Sequence, residues 1–310
     1  MQFAIRERLI NLTRTAVGFV YVLSGKPFLH QGMTVFVFHE VNDNPRLHAR
    51  ETNTYSDVEL FKKQMGWIKE SFPLLNPGDG RGAMPQQGCL ITFDDGYSGV
   101  LSNAVPILEH YQIPAVCFVN IATIQGDINS SAMTMYMAKR DQNPLHWADS
   151  NPQFLKESLA HLSVKEIEEV RQYQGPYING EELELLSQNP LITIGDHLNN
   201  HWYINSLGID ELDIEIAAGR SKLQNYTWDG RFFASPHGVT SDLAIQSIER
   251  AGYSYIFSGK SAITTKELSR IYPRIDMNLR IRSRYQLFGS IGIAKMRSIR
   301  IFRSLRKIGL

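Results

Sequence analysis

The chain has 310 residues, of which 43% are hydrophobic and 20% charged, and its formal net charge is +1. This composition is typical of a globular protein that buries a large core, so it excludes a mostly disordered chain. The near-zero net charge excludes a whole-molecule attraction to nucleic acid, because that attraction depends on clustered Lys and Arg.

Residues 1–31 are predicted to form an N-terminal amphipathic helix. The apolar run from Ala16 to Leu23 has only eight residues, far short of the ~20 that a membrane-spanning helix needs. Glu7 precedes this run and no small-residue cleavage pattern directly follows it, which disfavours a secretory signal peptide. We therefore expect a protein that is cytoplasmic or peripheral at a membrane, with export to the periplasm left open.

Residues 32–279 alternate between short β-rich runs and helical patterns. The first helix after the first strand is predicted to begin with a capping box formed by Ser56 and Glu59. Apolar runs predict strands at 33–38, 89–93, 115–119, 191–195, 231–234 and 253–258. Strand, helix and strand in close succession indicate a parallel sheet, so the fold class is α/β and the alternation favours a barrel.

Two segments depart from this alternation. Residues 124–180 are predicted to be a helical insertion in the barrel. Residues 280–310 form a basic C-terminal segment with nine basic and no acidic residues, and its last arginines are spaced by three. This segment is predicted either to be a solvated basic helix or to make peripheral contact with an anionic membrane.

Polar residues follow three of the predicted strands. In parallel α/β folds, active sites form at the carboxyl ends of the strands. For the first of these groups the alternative is an ordinary turn, since Asp-Gly is a common turn dipeptide. The groups are Asp94 with Asp95, Asp196 with His197, and Pro236 to Gly238.

His197 and His201 are four residues apart, so a helical turn beginning there would direct both imidazoles toward one ion. The alternative is a pair of solvated histidines on a surface helix. A carboxylate from another strand end would complete a set of two histidines and one carboxylate. Of Asp94 and Asp95, one could then bind the metal while the other accepts a proton, which is the division that a metal hydrolase requires.

Three segments in this order resemble the motifs of the polysaccharide deacetylases, the NodB-homology group called carbohydrate esterase family 4. Thr-Phe-Asp-Asp-Gly at 92–96 is similar to the first motif, and Asp-His-Leu-Asn-Asn-His at 196–201 to the second. Phe-Ala-Ser-Pro-His-Gly at 233–238 looks like the third, with Ala234 at the family's Arg and His237 at its Tyr. The resemblance covers residues 33–276.

The resemblance implies a distorted (β/α)7-type barrel with a helical insertion and helical termini. It also implies one divalent metal ion, zinc first and cobalt, nickel or iron as alternatives, held by Asp95, His197 and His201. Asp94 would be the general base. Pro236 and the backbone N–H of His237 would contact the substrate and its oxyanion.

The general acid is assigned less directly than the base. The family's usual acid is a histidine near the C-terminus, and no histidine follows His237 here. The strand at 33–38 is followed by His39 and is similar to the first strand of poly-N-acetylglucosamine deacetylases, which supply the acid from that position. The resemblance therefore implies His39 as general acid, the alternative being a strand-end histidine bound to backbone. Residues 271–276 resemble the final strand of such proteins, with no role assigned to Arg274.

The predicted function is metal-dependent removal of acetyl groups from an N-acetylated polysaccharide or glycan intermediate, in cell-surface or exopolysaccharide metabolism. One alternative is a de-O-acetylase, which needs less help at the leaving group. The other is a catalytically degenerate glycan-binding or assembly protein, which is suggested by Ala234 and by the missing C-terminal histidine.

Overall fold

The computed structural model describes residues 2–23, 33–77, 87–259 and 271–298. The strands in these ranges are β1 Met33–Phe38, β2 Glu40–Val41, β3 Tyr55–Ser56, β4 Gly88–Phe93, β5 Ala115–Val119, β6 Ile192–Asp196, β7 Phe232–Ala234, β8 Tyr255–Ser258 and β9 Ile271–Asp276. The α-helices are α1 Gln2–Leu23, α2 Leu47–Thr52, α3 Val58–Ser71, α4 Val105–Tyr111, α5 Ile121–Ile124, α6 Ser130–Arg140, α7 Pro152–His161, α8 Val164–Gln174, α9 Gly180–Ser187, α10 Ile209–Leu223, α11 Asp242–Arg250 and α12 Arg284–Ser298.

Seven of the described strands form a closed parallel barrel in the order β1, β4, β5, β6, β7, β8, β9, and β9 pairs with β1 to close it. One face of the strands fills the interior with large apolar side chains, among them Phe118, Phe232 and Phe257. The other face packs beneath the surrounding helices, as the alternation of side chains along a strand requires. The predicted distorted (β/α)7-type barrel with a helical insertion and helical termini is confirmed.

The register of the strands brings several carboxyl ends to one level. Phe38 at the end of β1 pairs with Phe93 at the end of β4. Val119 at the end of β5 pairs with Asp196 at the end of β6. The polar residues that follow these strands therefore meet at one mouth of the barrel.

The predicted capping box at the start of α3 is wrong. Asp57 is the N-cap instead, and its carboxylate accepts the backbone N–H of Leu60 at 2.7 Å. Ser56 belongs to β3, where it pairs with Val41 of β2. Pairing with β2, which the local sequence pattern does not reveal, thus places Ser56 in a strand and leaves Asp57 as the N-cap.

The insertion between β5 and β6 carries α6, α7 and α8 and covers one side of the barrel mouth. It has a small apolar cluster of its own, which includes Met133, Leu162 and Val170. The hydroxyl groups of Ser130 and Ser150 both donate to the backbone carbonyl of His201, the latter at 3.2 Å. The insertion therefore holds the loop that carries one of the predicted metal ligands.

Helices α1 and α12 pack against each other at glycines. A Cβ atom on Gly18 would lie 1.9 Å from the carbonyl oxygen of Tyr285, and one on Gly289 would lie 1.8 Å from that of Arg14. The two backbones are therefore in direct contact. Throughout the described ranges, each helix is too short or too polar to cross a lipid bilayer. The end of the predicted basic segment, residues 299–310, lies outside those ranges.

Candidate active site

The first motif forms a tight turn directly after β4. Asp95 and Gly96 both have left-handed backbone, with φ of 72° and 76°. Asp is one of the few residues other than Gly that adopts this conformation readily, and a Cβ on Gly96 would be in tight contact with Ile124, 3.0 Å from its Cδ1 atom. The turn directs the carboxylates of Asp94 and Asp95 to different partners.

Asp94 is held by Arg274 of β9. The Nη1 and Nη2 atoms of Arg274 donate to Oδ1 and Oδ2 of Asp94 at 2.6 and 2.7 Å. Both side chains are 4% exposed. Burial by itself would raise the pKa of Asp94, but the guanidinium of Arg274 and then His197 outweigh it, and the pKa is lowered. Asp94 is therefore a fixed, ionised carboxylate.

The sequence interpretation missed Arg274. In the related motif an Arg orients the general base, and Ala234 stands at that position here, so another residue must hold Asp94. The available signal was a single arginine in a predicted strand, residues 271–276, because a charged residue inside a barrel needs a buried partner. Which partner it meets depends on β9 closing the barrel next to β1.

Asp95, His197 and His201 converge on one point. Oδ1 of Asp95 lies 3.4 Å from Nε2 of His197 and 3.2 Å from Nε2 of His201. All three residues are buried, and one ligand atom from each lies within 4.8 Å of the others. Two imidazoles and one carboxylate are a donor set that zinc and other divalent transition metals bind, with positions left for water and substrate.

The hydrogen bonds of His197 suit it for binding a metal. Its Nδ1–H donates to the backbone carbonyl of Ala234 at 2.8 Å, so in neutral His197 the Nε2 lone pair is available to a cation bound between His197 and Asp95. Burial by itself would lower the pKa of His197, but Asp94 and then Asp95 outweigh it, and the pKa is raised. The cluster thus attracts positive charge, and the residues present fit a divalent cation.

The helical turn considered for His197 to His201 does not form. These residues form an irregular loop after β6, with Leu198 at a φ of 70°. The side-chain amide of Asn120 donates to the carbonyls of both His197 and Leu198, the latter at 3.2 Å. The two imidazole rings still lie 5.1 Å apart between centroids, because the loop is bent and held at both ends.

Each of the three motifs contains one non-glycine residue with left-handed backbone, namely Asp95, Leu198 and His237. Six such residues occur in the described part of the chain, so half of them lie in these motifs. A conformation of this kind costs about 1–3 kcal/mol and persists where the surrounding structure enforces it. Strained turns therefore aim all three motifs into the barrel mouth.

The third motif places His237 in an aromatic group beside His201. The ring of His237 lies 4.6 Å from that of His201, 4.8 Å from Trp147 and 5.7 Å from Tyr203. Burial, followed by the charge of His201, lowers the pKa of His237 well below its usual range. Pro236 is buried next to it. His237 thus stays neutral, and Trp147 and Tyr203, which the sequence interpretation did not identify, complete this wall.

His39 lies directly after β1 and is partly exposed. The backbone N–H of Asp94 donates to the carbonyl of Phe38 at 3.0 Å, which fixes His39 next to the first motif. Within the described residues the ring of His39 makes no hydrogen bond.

A groove of about 920 Å³ lies between the segment after β2 and the helical insertion. Its lining includes Arg46, Arg50, Tyr136 and Tyr173. The metal-binding candidates are not part of the lining. Helix α2 lies between the two, since it lines the groove with Arg50 and carries the buried His48, which contacts Tyr97 at 3.2 Å.

Among curated proteins, the poly-beta-1,6-N-acetyl-D-glucosamine N-deacetylase of Escherichia coli K12 is 26% identical to the chain over 102 residues. The match covers 31% of this chain and only 15% of that protein's length. The polysaccharide deacetylase family model matches residues 81–256, which is more than half of the chain.

Solved structures share the fold. IcaB from Ammonifex degensii superposes with a TM-score of 0.57 at 17% identity, covering 84% of this chain and 97% of that one. A de-N-acetylase from Aggregatibacter actinomycetemcomitans gives a TM-score of 0.53 at 16% identity, with 78% and 93% covered. This chain therefore superposes on nearly the whole length of each of the two neighbours.

Proposed function

The chain belongs to the polysaccharide deacetylase family, and we propose that it hydrolyses acetyl groups from N-acetylhexosamine units of a glycan in a metal-dependent reaction. The observation that carries this proposal is that a fixed carboxylate and a set of three possible metal ligands lie side by side in the buried mouth of the barrel. Arg274 holds Asp94 ionised, and Asp95, His197 and His201 converge beside it.

In the proposed reaction, a divalent ion held by Asp95, His197 and His201 would lower the pKa of a water molecule and polarise the acetyl carbonyl. Zinc is the first candidate. Asp94 removes a proton from the attacking water, which its ionised state allows. Oδ2 of Asp94 lies 3.8 Å from Nε2 of His197, so the proposed base is next to the residues that would hold the ion.

The leaving group requires a proton from another residue. We assign this step to His39, which would protonate the sugar nitrogen as the C–N bond breaks and acetate is released. The backbone N–H of His237 would donate to the oxyanion, with Pro236 fixing the start of that turn. Because His237 itself is held neutral, its ring is a weaker candidate for the acid than His39.

The substrate class draws on the relatives and on the groove. Both the E. coli relative and the Aggregatibacter structure are named for de-N-acetylation. The groove of about 920 Å³ lies across α2 from the metal-binding candidates, and its tyrosines and arginines would offer stacking and hydrogen bonds to neighbouring sugar units of a polymer. An N-acetylated glycan in cell-surface or exopolysaccharide metabolism fits these features best.

Removal of O-acetyl groups is the second candidate reaction. An acetate ester is easier to cleave than an amide, because an alkoxide is a better leaving group than an amine anion. The reaction therefore depends less on a proton donor, and the ring of His39 is not held by a hydrogen bond within the described residues. A catalytically degenerate glycan-binding protein is the weaker alternative, because loss of catalysis would leave no reason to keep Asp94 paired and buried.

An acetate-release screen tests the proposal. Metal-reconstituted protein would be incubated with N-acetylglucosamine oligomers, O-acetylated glycans and monomeric N-acetylglucosamine, with Asp94→Asn protein as the blank. Release from the N-acetylated oligomers alone, absent with Asp94→Asn, is expected. Release confined to O-acetylated glycans would favour the second reaction, and no release from any acetylated glycan would favour the binding protein.

A further inference from the structure

Helix α1 carries a row of large apolar side chains that the described part of the protein leaves uncovered. These residues are 59%, 66%, 53%, 63% and 70% exposed. They recur at spacings of three, four and seven, as residues on one helix face do. We call the row the α1 stripe; it consists of Leu9, Leu12, Phe19, Val20 and Leu23, with the exposed Ala16 between them.

The α1 stripe is fixed to the body of the protein. The opposite face of α1 packs on α12 through the glycine contacts of Gly18 and Gly289. Helix α12 in turn places Phe288 in the main core outside the barrel. Tyr285 of α12, 42% exposed, extends the stripe through a ring contact with Phe19 at 6.1 Å. The stripe is therefore presented rigidly.

Scattered exposed apolar residues are ordinary on a protein surface, but a contiguous row is typical of a contact site. The row from Leu9 to Leu23 would extend about 21 Å at 1.5 Å per residue. Helix α1 is not apolar enough to cross a bilayer, so a lipid partner would have to be contacted along the surface.

The charges around the α1 stripe indicate which partner it would contact. Arg8 is exposed beside the stripe. Helix α12, which packs against α1, belongs to a stretch of the sequence, residues 280–310, that has nine basic residues and no acidic one. Apolar side chains flanked by cations are the composition of helices that lie in the interface of an anionic bilayer, where each cation adds attraction to the headgroups.

We propose that the α1 stripe lies in the interface of an anionic lipid bilayer, with the exposed cation of Arg8 at its edge contacting the headgroups. The surface is distinct from the barrel mouth, and the inference does not depend on the reaction assigned there. It fixes one face of the protein to the membrane through a preformed element.

Co-sedimentation of the full chain with vesicles tests this inference. Phosphatidylcholine vesicles with phosphatidylglycerol would be compared with phosphatidylcholine alone. The stripe variant is Leu12→Ser with Phe19→Ser. The matched control is Leu185→Ser with Leu243→Ser, which changes two residues of similar exposure, 62% and 64%, on other helices.

The wild type and the control are expected to bind the anionic vesicles, and to bind more weakly as salt is added. The stripe variant is expected to bind roughly a hundredfold more weakly, since each of the two apolar side chains withdrawn from water contributes about tenfold. Equal thermal stability of the two variants checks that both are folded.

Failure of the wild type to bind anionic vesicles would overturn the proposal, as would equal binding by the stripe variant. If the wild type is instead a dimer in analytical ultracentrifugation that the stripe substitutions dissociate, without vesicle binding, the stripe is a contact between two copies and the lipid proposal is wrong. Acetate release from soluble substrate is expected to be the same in all three proteins, so the outcome is separate from the reaction.

Discussion

The two sides of the site that would handle protons are built differently. On one side, Asp94 is buried and receives two hydrogen bonds from Arg274. On the other side, His39 is partly exposed and its ring makes no hydrogen bond within the described ranges. In the proposed reaction the base must stay ionised in a fixed place, whereas the acid must reach a nitrogen that belongs to the substrate. The difference shows that the fold itself positions the proposed base, whereas it does not hold the ring of the proposed acid by a hydrogen bond from the described residues.

Removing the base is expected to have the largest effect. Asp94→Asn keeps the size of the side chain but cannot accept the proton, so kcat/KM for acetate release should fall by about 10²–10⁴-fold. Activity near that of the wild type would show that Asp94 is not the base. Glu249→Gln, on the exposed side of α11 and not part of the groove lining, serves as a control for loss of one carboxylate.

The two neighbouring aspartates are expected to separate metal binding from catalysis. Asp95→Asn should lose both activity and bound metal, because Asp95 is one of three converging ligands. Asp94→Asn should lose activity but retain the metal. Metal content after dialysis, measured by elemental analysis, distinguishes the two, and equal metal content in both variants would contradict the division of roles.

Substitution of His39 is expected to depend on the acetyl linkage. His39→Ala should lower kcat/KM about 10²-fold on N-acetylated glycan, at the lower end for loss of a general acid. The effect on an O-acetylated substrate should be much smaller, since an ester needs less help at its leaving group. Equal losses on both substrates would mean that His39 acts in another way, and His110→Ala is a control distant from the mouth.

Arg274 provides the link to pH. Because Arg274 lowers the pKa of Asp94, Arg274→Met should let burial raise that pKa, so the acid limb of the kcat/KM profile should move to higher pH. Arg274→Lys should restore part of the profile by keeping the charge. An unchanged acid limb in Arg274→Met would show that Arg274 does not tune the base.

The same pair should appear in the stability of the fold. The lowered pKa of Asp94 means that its stabilising contribution is present above the unfolded value, about 3.9, and is lost as pH falls through the folded value. Removing Arg274 leaves a buried carboxylate unpaired, at a cost of about 3–5 kcal/mol near neutral pH. Urea unfolding of Arg274→Met measures this loss, and Asp94→Asn with Arg274→Met should recover part of it.

Much of the barrel could be predicted from the sequence, because β-branched and aromatic runs specify strands locally, as in 33–38 and 115–119. Features that depend on distant pairing could not. Ser56 was misread as a cap because its partner Val41 belongs to another segment. The proximity of His197 and His201 was expected, but from a helical turn that does not form; Asn120 bends the loop instead.

Arg274 shows the same limit in the site. It lies 180 residues from Asp94 along the chain, and only closure of β9 against β1 brings the two together. The roles of Asp94, Asp95, His197, His201, His39, Pro236 and His237 remain predictions. What the structure adds is the contact that holds Asp94 and the aromatic wall around His237.

The most direct measurement is acetate release from N-acetylglucosamine oligomers before chelation, after chelation and after adding back zinc or cobalt. Release is expected to fall to the level of Asp94→Asn protein on chelation and to return with the metal, whereas Asp95→Asn protein should stay inactive throughout. Release that is unchanged by chelation, with Asp94→Asn as active as the wild type, would contradict a metal-dependent deacetylase built on these residues.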